Sequence, residues 1–212
     1  MEHQPAPPYI RPSSCLGVDL DLTLLDTRTA TAVALDRVNA HLGTAVDVDA
    51  FVARLGPPIR QELARWIPDD RIEEAVGEFR RCFVTEGLPH LRALPGATDL
   101  VSRIRAGGGR IIVITSRIPA IAHACLESCQ LDVAAVVGGV SGEEKSPAMT
   151  AHGVDAYIGD HPLDMLGAAR AGVPGVGVTT GAHDEAELHD AGATHVVSGL
   201  DVVVTWLGRA QV

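Results

Sequence analysis

Short apolar runs alternate with stretches of helical periodicity along the second half of the chain. From Gly109 onward, the apolar runs cover 111–115, 132–137, 155–159, 175–178 and 194–197, and the helical stretches cover 118–129, 162–171, 183–191 and 200–208. A further apolar run, CLGVDL, occupies 15–20. Strands that are apolar along their whole length are buried on both faces, and helices connect such strands in parallel. The pattern therefore predicts an α/β fold with a doubly wound, mainly parallel sheet, a Rossmann-like three-layer sandwich.

Residues 28–87 break this alternation, because none of their segments reads as a strand. Apolar residues recur there at helical spacing in four segments, 29–42, 48–55, 59–66 and 71–84. Clusters of glycine, proline and aspartate separate these segments as turns. We expect an all-helical cap over 28–90, inserted into a core formed by 15–27 and 91–212.

The composition is that of a soluble globular protein, with 46% apolar and 21% charged residues in a chain of 212. The formal net charge of −10 is spread along the sequence without a basic stripe. Nucleic acid is therefore disfavoured as a partner, because nothing would neutralise its phosphates. An anionic small substrate would need a positive pocket of its own.

The N-terminal segment is predicted to be a flexible leader over residues 1–14, because Pro5, Pro7, Pro8 and Pro12 resist regular structure. No stretch approaches the ~20 apolar residues of a membrane helix, and the start of the chain lacks the basic-then-apolar order of a signal peptide. We therefore expect a cytoplasmic protein without a membrane segment.

The four cysteines lie inside apolar segments and show no CxxC spacing. Reduced thiols in the core are favoured over a disulfide framework or a zinc site.

Two carboxylates follow the first predicted strand. Asp19 and Asp21 lie two residues apart, so both can emerge on the same side of the strand end, and ligand sites of parallel sheets form at such carboxyl ends. Two anions this close favour a divalent cation or a shared proton between them. A solvated acidic turn is the alternative interpretation of this pair taken alone.

Three further segments place polar groups after later strands or in the loops between them. Thr115 and Ser116 end one strand with a hydroxyl and an amide where phosphate can bind. Lys145 lies in a polar loop ahead of a short helix. Asp160 follows another strand, and Asp164 comes four residues later in the first turn of a helix.

This ordered set of motifs resembles the haloacid dehalogenase-like superfamily, and the resemblance runs from residue 15 to residue 208. The helical insertion is similar to the small cap of phosphoglycolate phosphatase-like members. The resemblance implies a Mg²⁺-dependent phosphatase that hydrolyses a small phosphate monoester. It implies that Asp19 is the nucleophile, which forms an aspartyl-phosphate, and that Asp21 acts first as the general acid and then as the base.

The same resemblance assigns the ligands of the metal ion. Mg²⁺ would be bound by Asp19, by the carbonyl of Asp21 and by Asp160, and Asp164 would support this metal site from outside the ligand shell. Such an ion offsets the repulsion between an anionic nucleophile and an anionic substrate.

The phosphoryl group also has assigned contacts. The resemblance implies that Thr115 and the amide of Ser116 bind phosphoryl oxygens and that Lys145 supplies positive charge. Thr23 is counted with this phosphate-binding set and is expected to steady Asp21. Arg117, beside Ser116, is a further candidate.

Arg60 in the insertion is the candidate for binding the rest of the substrate. A loop there could close over the sheet end, and Arg60 could then contact a second anionic group. The alternative for Arg60 is an ordinary solvated helix residue.

Lys145 stands out by composition alone, because it is the single lysine among 17 basic residues. A chain that uses arginine everywhere else would be expected to use it here too, unless the site needs a compact charge and not a planar fork. The alternative is that one surface lysine had to fall somewhere.

The motifs also depart from the family pattern. Leu22 stands where the first motif usually has glycine, which predicts a tighter or displaced loop. Ser146 separates Lys145 from Pro147, whereas the family commonly has proline directly after the lysine.

The motifs bear differently on several other functions. A phosphomutase or a phosphonate hydrolase uses the same nucleophile and stays open as an alternative. A dehalogenase is disfavoured because it needs neither Asp21 as an acid nor a metal ion. A phosphorylated receiver domain is disfavoured by the helical insertion, and an inactive scaffold by the intact catalytic set. The identity of the ester and the oligomeric state are not assigned.

Overall fold

The computed structural model describes residues 10–207. Its helices and strands follow in the order β1 (Cys15–Val18), β2 (Leu25–Asp26), α1 (Arg28–Leu42), α2 (Val48–Val52), α3 (Ile59–Leu63), α4 (Ile72–Cys82), β3 (Arg92–Ala93), α5 (Ala97–Ala106), β4 (Arg110–Thr115), α6 (Pro119–Ser128), β5 (Ala135–Gly138), α7 (Ser146–His152), β6 (Ala156–Gly159), α8 (Pro162–Ala171), β7 (Gly175–Val178), α9 (Glu185–Asp190), β8 (His195–Val197) and α10 (Leu200–Leu207).

Six strands form one parallel sheet in the order β5-β4-β1-β6-β7-β8. β1 lies at its centre, with Val18 opposite Val113 on one side and Ile158 on the other. Chain order reverses at β1, and this is the point at which open α/β sheets bind ligands. The predicted doubly wound α/β fold is confirmed.

The strands are buried because helices cover both faces of the sheet. Leu16 and Val18 of β1 belong to a core shared with α5, α6 and α10. On the opposite face, Ile112 and Ile114 of β4 pack with Tyr157 and with residues of α7 and α8. These two apolar layers explain why the strands read as unbroken apolar runs in the sequence.

The insertion between β2 and β3 is helical. Helices α1 to α4 are followed by a π-helical turn, Phe83–Gly87, and by a short 3-10 turn, Leu88–His90. Aromatic pairs lie in its interior, with the rings of Phe51 and Trp66 5.7 Å apart and those of Phe79 and Phe83 5.8 Å apart. The proposed cap boundaries, 28 and 90, coincide with the start of α1 and the end of the 3-10 turn.

The two connections between cap and core run side by side. β2 and β3 pair antiparallel, with Leu25 opposite Ala93, and the Leu94 amide donates to the Leu24 carbonyl at 2.9 Å. Both passages of the chain are therefore fixed to each other at the point where the cap begins.

Part of the predicted leader is packed and not flexible. Residues 1–9 lie outside the described part of the chain, but Ile10 is buried in the main core. Pro12 lies so close to Gly107 that a Cβ there would be 2.3 Å from it. The prediction of a flexible leader is wrong for residues 10–14, because proline prevents regular structure without preventing burial of a neighbouring apolar side chain.

Within residues 10–207, no helix is long and apolar enough to cross a membrane. All four cysteines are free thiols, and three of them are buried. Burial raises the pKa of the Cys125 thiol to about 12. The prediction of reduced core thiols is confirmed for Cys15, Cys82 and Cys125, whereas Cys129 is half-buried.

Candidate active site

Asp19 lies directly beyond the carboxyl end of β1, and its backbone amide donates to the carbonyl of Ile158 at 2.9 Å. The hydrogen bond continues the parallel pairing by one residue, so the backbone that carries the carboxylate is held rigidly. Only 8% of the residue is exposed. Asp19 thus occupies the centre of the sheet edge at which the strand order reverses.

Lys145 projects from a 3-10 turn, Gly142–Lys145, into the same place. Its Nζ donates to Oδ1 of Asp19 at 2.6 Å, to Oδ1 of Asp164 at 2.6 Å and to the hydroxyl of Tyr157 at 2.9 Å. An ammonium has three N–H donors, and each has a partner here. Burial alone would lower the pKa of Lys145, but the carboxylates of Asp164 and Asp19 outweigh burial and raise it well above its usual value.

Tyr157 is a member of this site that sequence analysis missed. The residue is fully buried in β6, and its hydroxyl donates to the Ile114 carbonyl at 2.7 Å, which leaves an oxygen lone pair for Lys145. A Cβ on Gly17 would lie 2.7 Å from Cδ2 of the tyrosine ring, so β1 needs glycine at this point. A tyrosine inside an otherwise apolar strand was the available signal, since a buried hydroxyl needs a partner.

Three carboxylates lie close together beside the ammonium of Lys145. Ligand oxygens of Asp19, Asp160 and Asp164 all lie within 4.8 Å of one another. Burial, followed by the neighbouring carboxylates, raises the pKa of Asp19 to about 7, although Lys145 opposes the shift, and burial also raises the pKa of Asp160. The cluster therefore lacks positive charge when all three groups are ionised. Buried carboxylate oxygens of this kind fit a hard divalent cation such as Mg²⁺.

Asp160 is held by Thr23. The threonine is fully buried, and its hydroxyl donates to Oδ1 of Asp160 at 2.7 Å. The expectation that Thr23 steadies Asp21 is wrong, and no hydrogen bond from its hydroxyl to Asp21 occurs in the described structure. The reason is the tight loop after β1, in which Thr23 points towards β6 while Asp21 points towards β4.

Asp164 is fixed at both carboxylate oxygens. Oδ1 accepts from Lys145, and Oδ2 accepts from the backbone amide of His161 at 3.2 Å as part of the N-terminal cap of α8. The carboxylate reaches this position because Gly159 has no side chain, and a Cβ there would lie 2.4 Å from Oδ2. Asp164 thereby links the ammonium of Lys145 to the start of a helix.

Asp21 is not part of this cluster and is paired with Arg117. Nε of Arg117 donates to Oδ2 of Asp21 at 2.8 Å and Nη2 donates to Oδ1 at 2.7 Å. Both side chains are 11% exposed, and the guanidinium also stacks 4.1 Å from the ring of Phe83 in the cap. Burial would lower the pKa of Arg117, but the Asp21 carboxylate raises it. Arg117, predicted to contact phosphate, is here the partner of the predicted acid and base.

Thr115 and Ser116 lie at the carboxyl end of β4, the strand next to β1. The Thr115 side chain is fully buried, and its oxygen accepts from the Arg117 amide at 3.2 Å. The Ser116 hydroxyl donates to the carbonyl of Gly56 in the cap at 3.3 Å. Both predicted phosphate-binding residues therefore reach the sheet edge where Asp19 lies, and Ser116 also joins core to cap.

Arg60 does not join the other predicted site residues. Its Nε donates to Glu73 at 2.7 Å, and the side chains are 58% and 75% exposed. The prediction of a substrate contact is wrong for this arrangement of the cap. Arg60 is the second residue of α3, and its side chain lies on the outer surface, whereas that of its neighbour Ile59 points inward.

The two departures from the motif pattern have different outcomes. Leu22 adopts a φ of 55°, the left-handed conformation that favours glycine, and its amide donates to the Leu25 carbonyl at 2.8 Å. The loop therefore keeps a glycine-like backbone although it carries a buried leucine. Ser146 and Pro147 form the first turn of α7 directly after Lys145.

Known proteins have sequences that are similar to this chain. Residues 18–178 match the sequence profile of haloacid dehalogenase-like hydrolases. The chain is 30% identical over 206 residues to "Probable phosphatase IndB" of Dickeya dadantii, covering 88% of this chain and 90% of that protein. It is 27% identical over 217 residues to a phosphoglycolate phosphatase of Caulobacter vibrioides, covering 88% of each.

Among solved structures, the fold is similar to that of a haloacid dehalogenase-like hydrolase from Streptococcus pneumoniae. The TM-score is 0.80 at 20% identity, over 92% of this chain and 98% of that one. The parallel sheet, the acidic cluster beside a buried lysine and the match to the sequence profile all indicate the same family. The chain belongs to the haloacid dehalogenase-like hydrolases, the family that its motifs predicted.

Proposed function

We propose that this protein is a Mg²⁺-dependent phosphatase that transfers the phosphoryl group of a small phosphate monoester to Asp19 and then to water. The observation that carries the proposal is the contact of Lys145 with both Asp19 and Asp164 beside Asp160, at the sheet edge where the strand order reverses. The phosphatase names of similar proteins support the reaction class. A small-molecule substrate and a cytoplasmic location belong to the same proposal.

Asp19 is suited to attack phosphorus because only one of its oxygens is taken. Lys145 binds Oδ1, and no described residue donates a hydrogen bond to Oδ2. Oδ2 would form the bond to phosphorus while the ester oxygen leaves. Lys145 would hold the carboxylate in one rotamer and partly offset the negative charge that the substrate brings.

Asp21 would give a proton to the leaving ester oxygen and later take one from the attacking water. Its two hydrogen bonds from Arg117 would hold the carboxylate in a fixed orientation for both steps. Thr115 and the Ser116 amide would contact phosphoryl oxygens at the end of β4.

Mg²⁺ would be held by Asp19 and Asp160, with Asp164 beside them, and would supply charge neutralisation for the transferred group. Thr23 would keep Asp160 in place through its hydrogen bond. The protein would thus provide a rigid acidic site whose excess negative charge favours the cation.

The test is phosphate release from a panel of phosphate monoesters with Mg²⁺. We expect Asp19→Asn to reduce release to background and wild-type protein quenched in acid to carry one phosphoryl group on the peptide that contains Asp19. Asp99→Asn, on the exposed side of α5, is the matched control and should be unaffected. Full turnover by folded Asp19→Asn, or by wild-type protein after removal of divalent cations, contradicts the proposal.

A further inference from the structure

A crevice opens between cap and core beside Asp21. The cavity inside it has a volume of about 50 Å³. Most of its large side chains are apolar, from the cap Phe51, Leu55, Pro57 and Phe79, and from the core Ile118 and Ile121. A mostly apolar lining with a few polar groups is typical of small-molecule pockets. The space next to the predicted acid therefore suits an apolar group.

The charged side chains of the crevice are paired, with one exception. Asp21 and Arg117 bind each other, and Glu62, which is 5% exposed, accepts from Arg54 at 3.2 Å. The side chain of Arg80 in α4 also lines the crevice. Across residues 10–207, no hydrogen bond or ion pair of the Arg80 guanidinium is found, so it is the charge of the crevice that lacks a counter-ion.

Thr31 gives a second, independent sign that the crevice receives a polar group. The residue is fully buried in α1 and lines the crevice, and its hydroxyl has no hydrogen-bond partner among the described residues. Leaving a buried polar group unpaired is destabilising. A hydroxyl in that position is explained if a bound molecule supplies the partner.

We propose that this crevice binds the leaving group of the substrate and that the leaving group has a mainly apolar body with a second anionic group, which Arg80 binds. Thr31 hydrogen-bonds to a polar atom of the same body. The inference rests on the proposed phosphatase activity and narrows its substrate class. The role that sequence analysis gave to Arg60 passes to Arg80, since Arg60 is neutralised by Glu73 on the outer surface.

The experiment compares two esters of the same shape that differ in one charge, 4-carboxyphenyl phosphate and 4-carbamoylphenyl phosphate. The variants are Arg80→Gln and, as a matched control, Arg65→Gln, which removes an exposed cap arginine that does not line the crevice. The ratio of kcat/KM for the two esters is followed, because damage to folding or to the chemical step affects both esters alike.

We expect wild-type protein to prefer the carboxylate ester. Arg80→Gln should lower kcat/KM for that ester by at least about tenfold, the scale of one hydrogen bond to a charged group, and change the amide ester by less than about threefold. Arg65→Gln should leave the ratio unchanged. A ratio that does not respond to Arg80→Gln, or a wild-type preference for the amide, overturns the proposal and favours a neutral leaving group.

Binding of 4-hydroxybenzoate, measured by calorimetry, separates the two proposals. If wild-type protein hydrolyses neither ester but binds 4-hydroxybenzoate in an Arg80-dependent way, the phosphatase proposal fails and the anion site stands. If both esters are hydrolysed and Arg80→Gln changes neither binding nor turnover, the proposed anion site is refuted and the phosphatase proposal stands. Absence of both hydrolysis and binding refutes both.

Discussion

Replacement of Lys145 by arginine tests whether the site needs a compact cation. The ammonium makes three short contacts, to Asp19, Asp164 and Tyr157, and the lysine is 4% exposed. A guanidinium keeps the charge, but its planar fork is wider than the space enclosed by these partners. Loss of one charged hydrogen bond is worth about 1.5–3 kcal/mol, which corresponds to roughly 10- to 150-fold in rate. We therefore expect Lys145→Arg to lower kcat/KM at least about tenfold.

Lys145→Ala should be more severe, because it leaves the buried carboxylates of Asp19 and Asp164 without the ammonium that pairs with both. Removing one partner of a buried ion pair costs about 3–5 kcal/mol, so a lower free energy of unfolding should accompany the loss of activity.

The assay is steady-state phosphate release with Mg²⁺ on any ester that the wild-type protein hydrolyses. Thermal unfolding of each variant separates lost stability from lost turnover. Arg71→Lys is the matched control, since Arg71 forms a half-exposed pair with Glu74 and lies in the cap. Wild-type kinetics in Lys145→Arg would refute the geometric argument, and wild-type kinetics in Lys145→Ala would remove the lysine from the reaction altogether.

Three further changes probe the metal site, the loop after β1 and the crevice. Mg²⁺ should raise the melting temperature of wild-type protein, by the equivalent of about 2.7 kcal/mol at a hundredfold excess over Kd, and Asp160→Asn should remove most of this shift in a thermal-shift titration. An unchanged shift would place the ion elsewhere. Leu22→Gly removes the strain of a left-handed leucine, about 1–2 kcal/mol, but it also deletes a buried side chain that stabilises the fold by more than this. Denaturant unfolding should therefore show a net decrease of about 1–3 kcal/mol in the free energy of unfolding. A gain in stability would mean that strain dominates. Thr31→Val should leave the free energy of unfolding unchanged or higher, because it removes an unpaired hydroxyl, and a loss above about 1 kcal/mol would reveal an intramolecular partner.

The sheet was predictable from sequence because its strands are buried on both faces. The apolar runs at 111–115 and 175–178 lie within or coincide with β4 and β7. The same physics places Asp19, Thr115 and Asp160 together, since all three lie at the carboxyl ends of parallel strands, at one edge of the sheet. Periodicity and topology were sufficient for these residues.

Side-chain partners were less predictable, because they depend on loop direction and on neighbours that are distant in sequence. Thr23 binds Asp160 across 137 positions, and Arg117 binds Asp21 across 96. Arg80 lines the crevice while Arg60 does not, although both occur in amphipathic helices of the insertion. Nothing in the local pattern distinguishes these two arginines. Their roles follow from how α3 and α4 pack against each other.

The close approach of Gly17 to Tyr157 ties two distant positions of the sequence together. A methyl group at position 17 would push the tyrosine ring away, and the ring carries the oxygen that completes the surroundings of Lys145. A substitution in a strand that never touches the lysine would therefore disturb it. In related proteins, a residue with a side chain at the position of Gly17 should occur only where Tyr157 is also replaced and another group accepts from the ammonium. The residues at these two positions should therefore vary jointly over evolution.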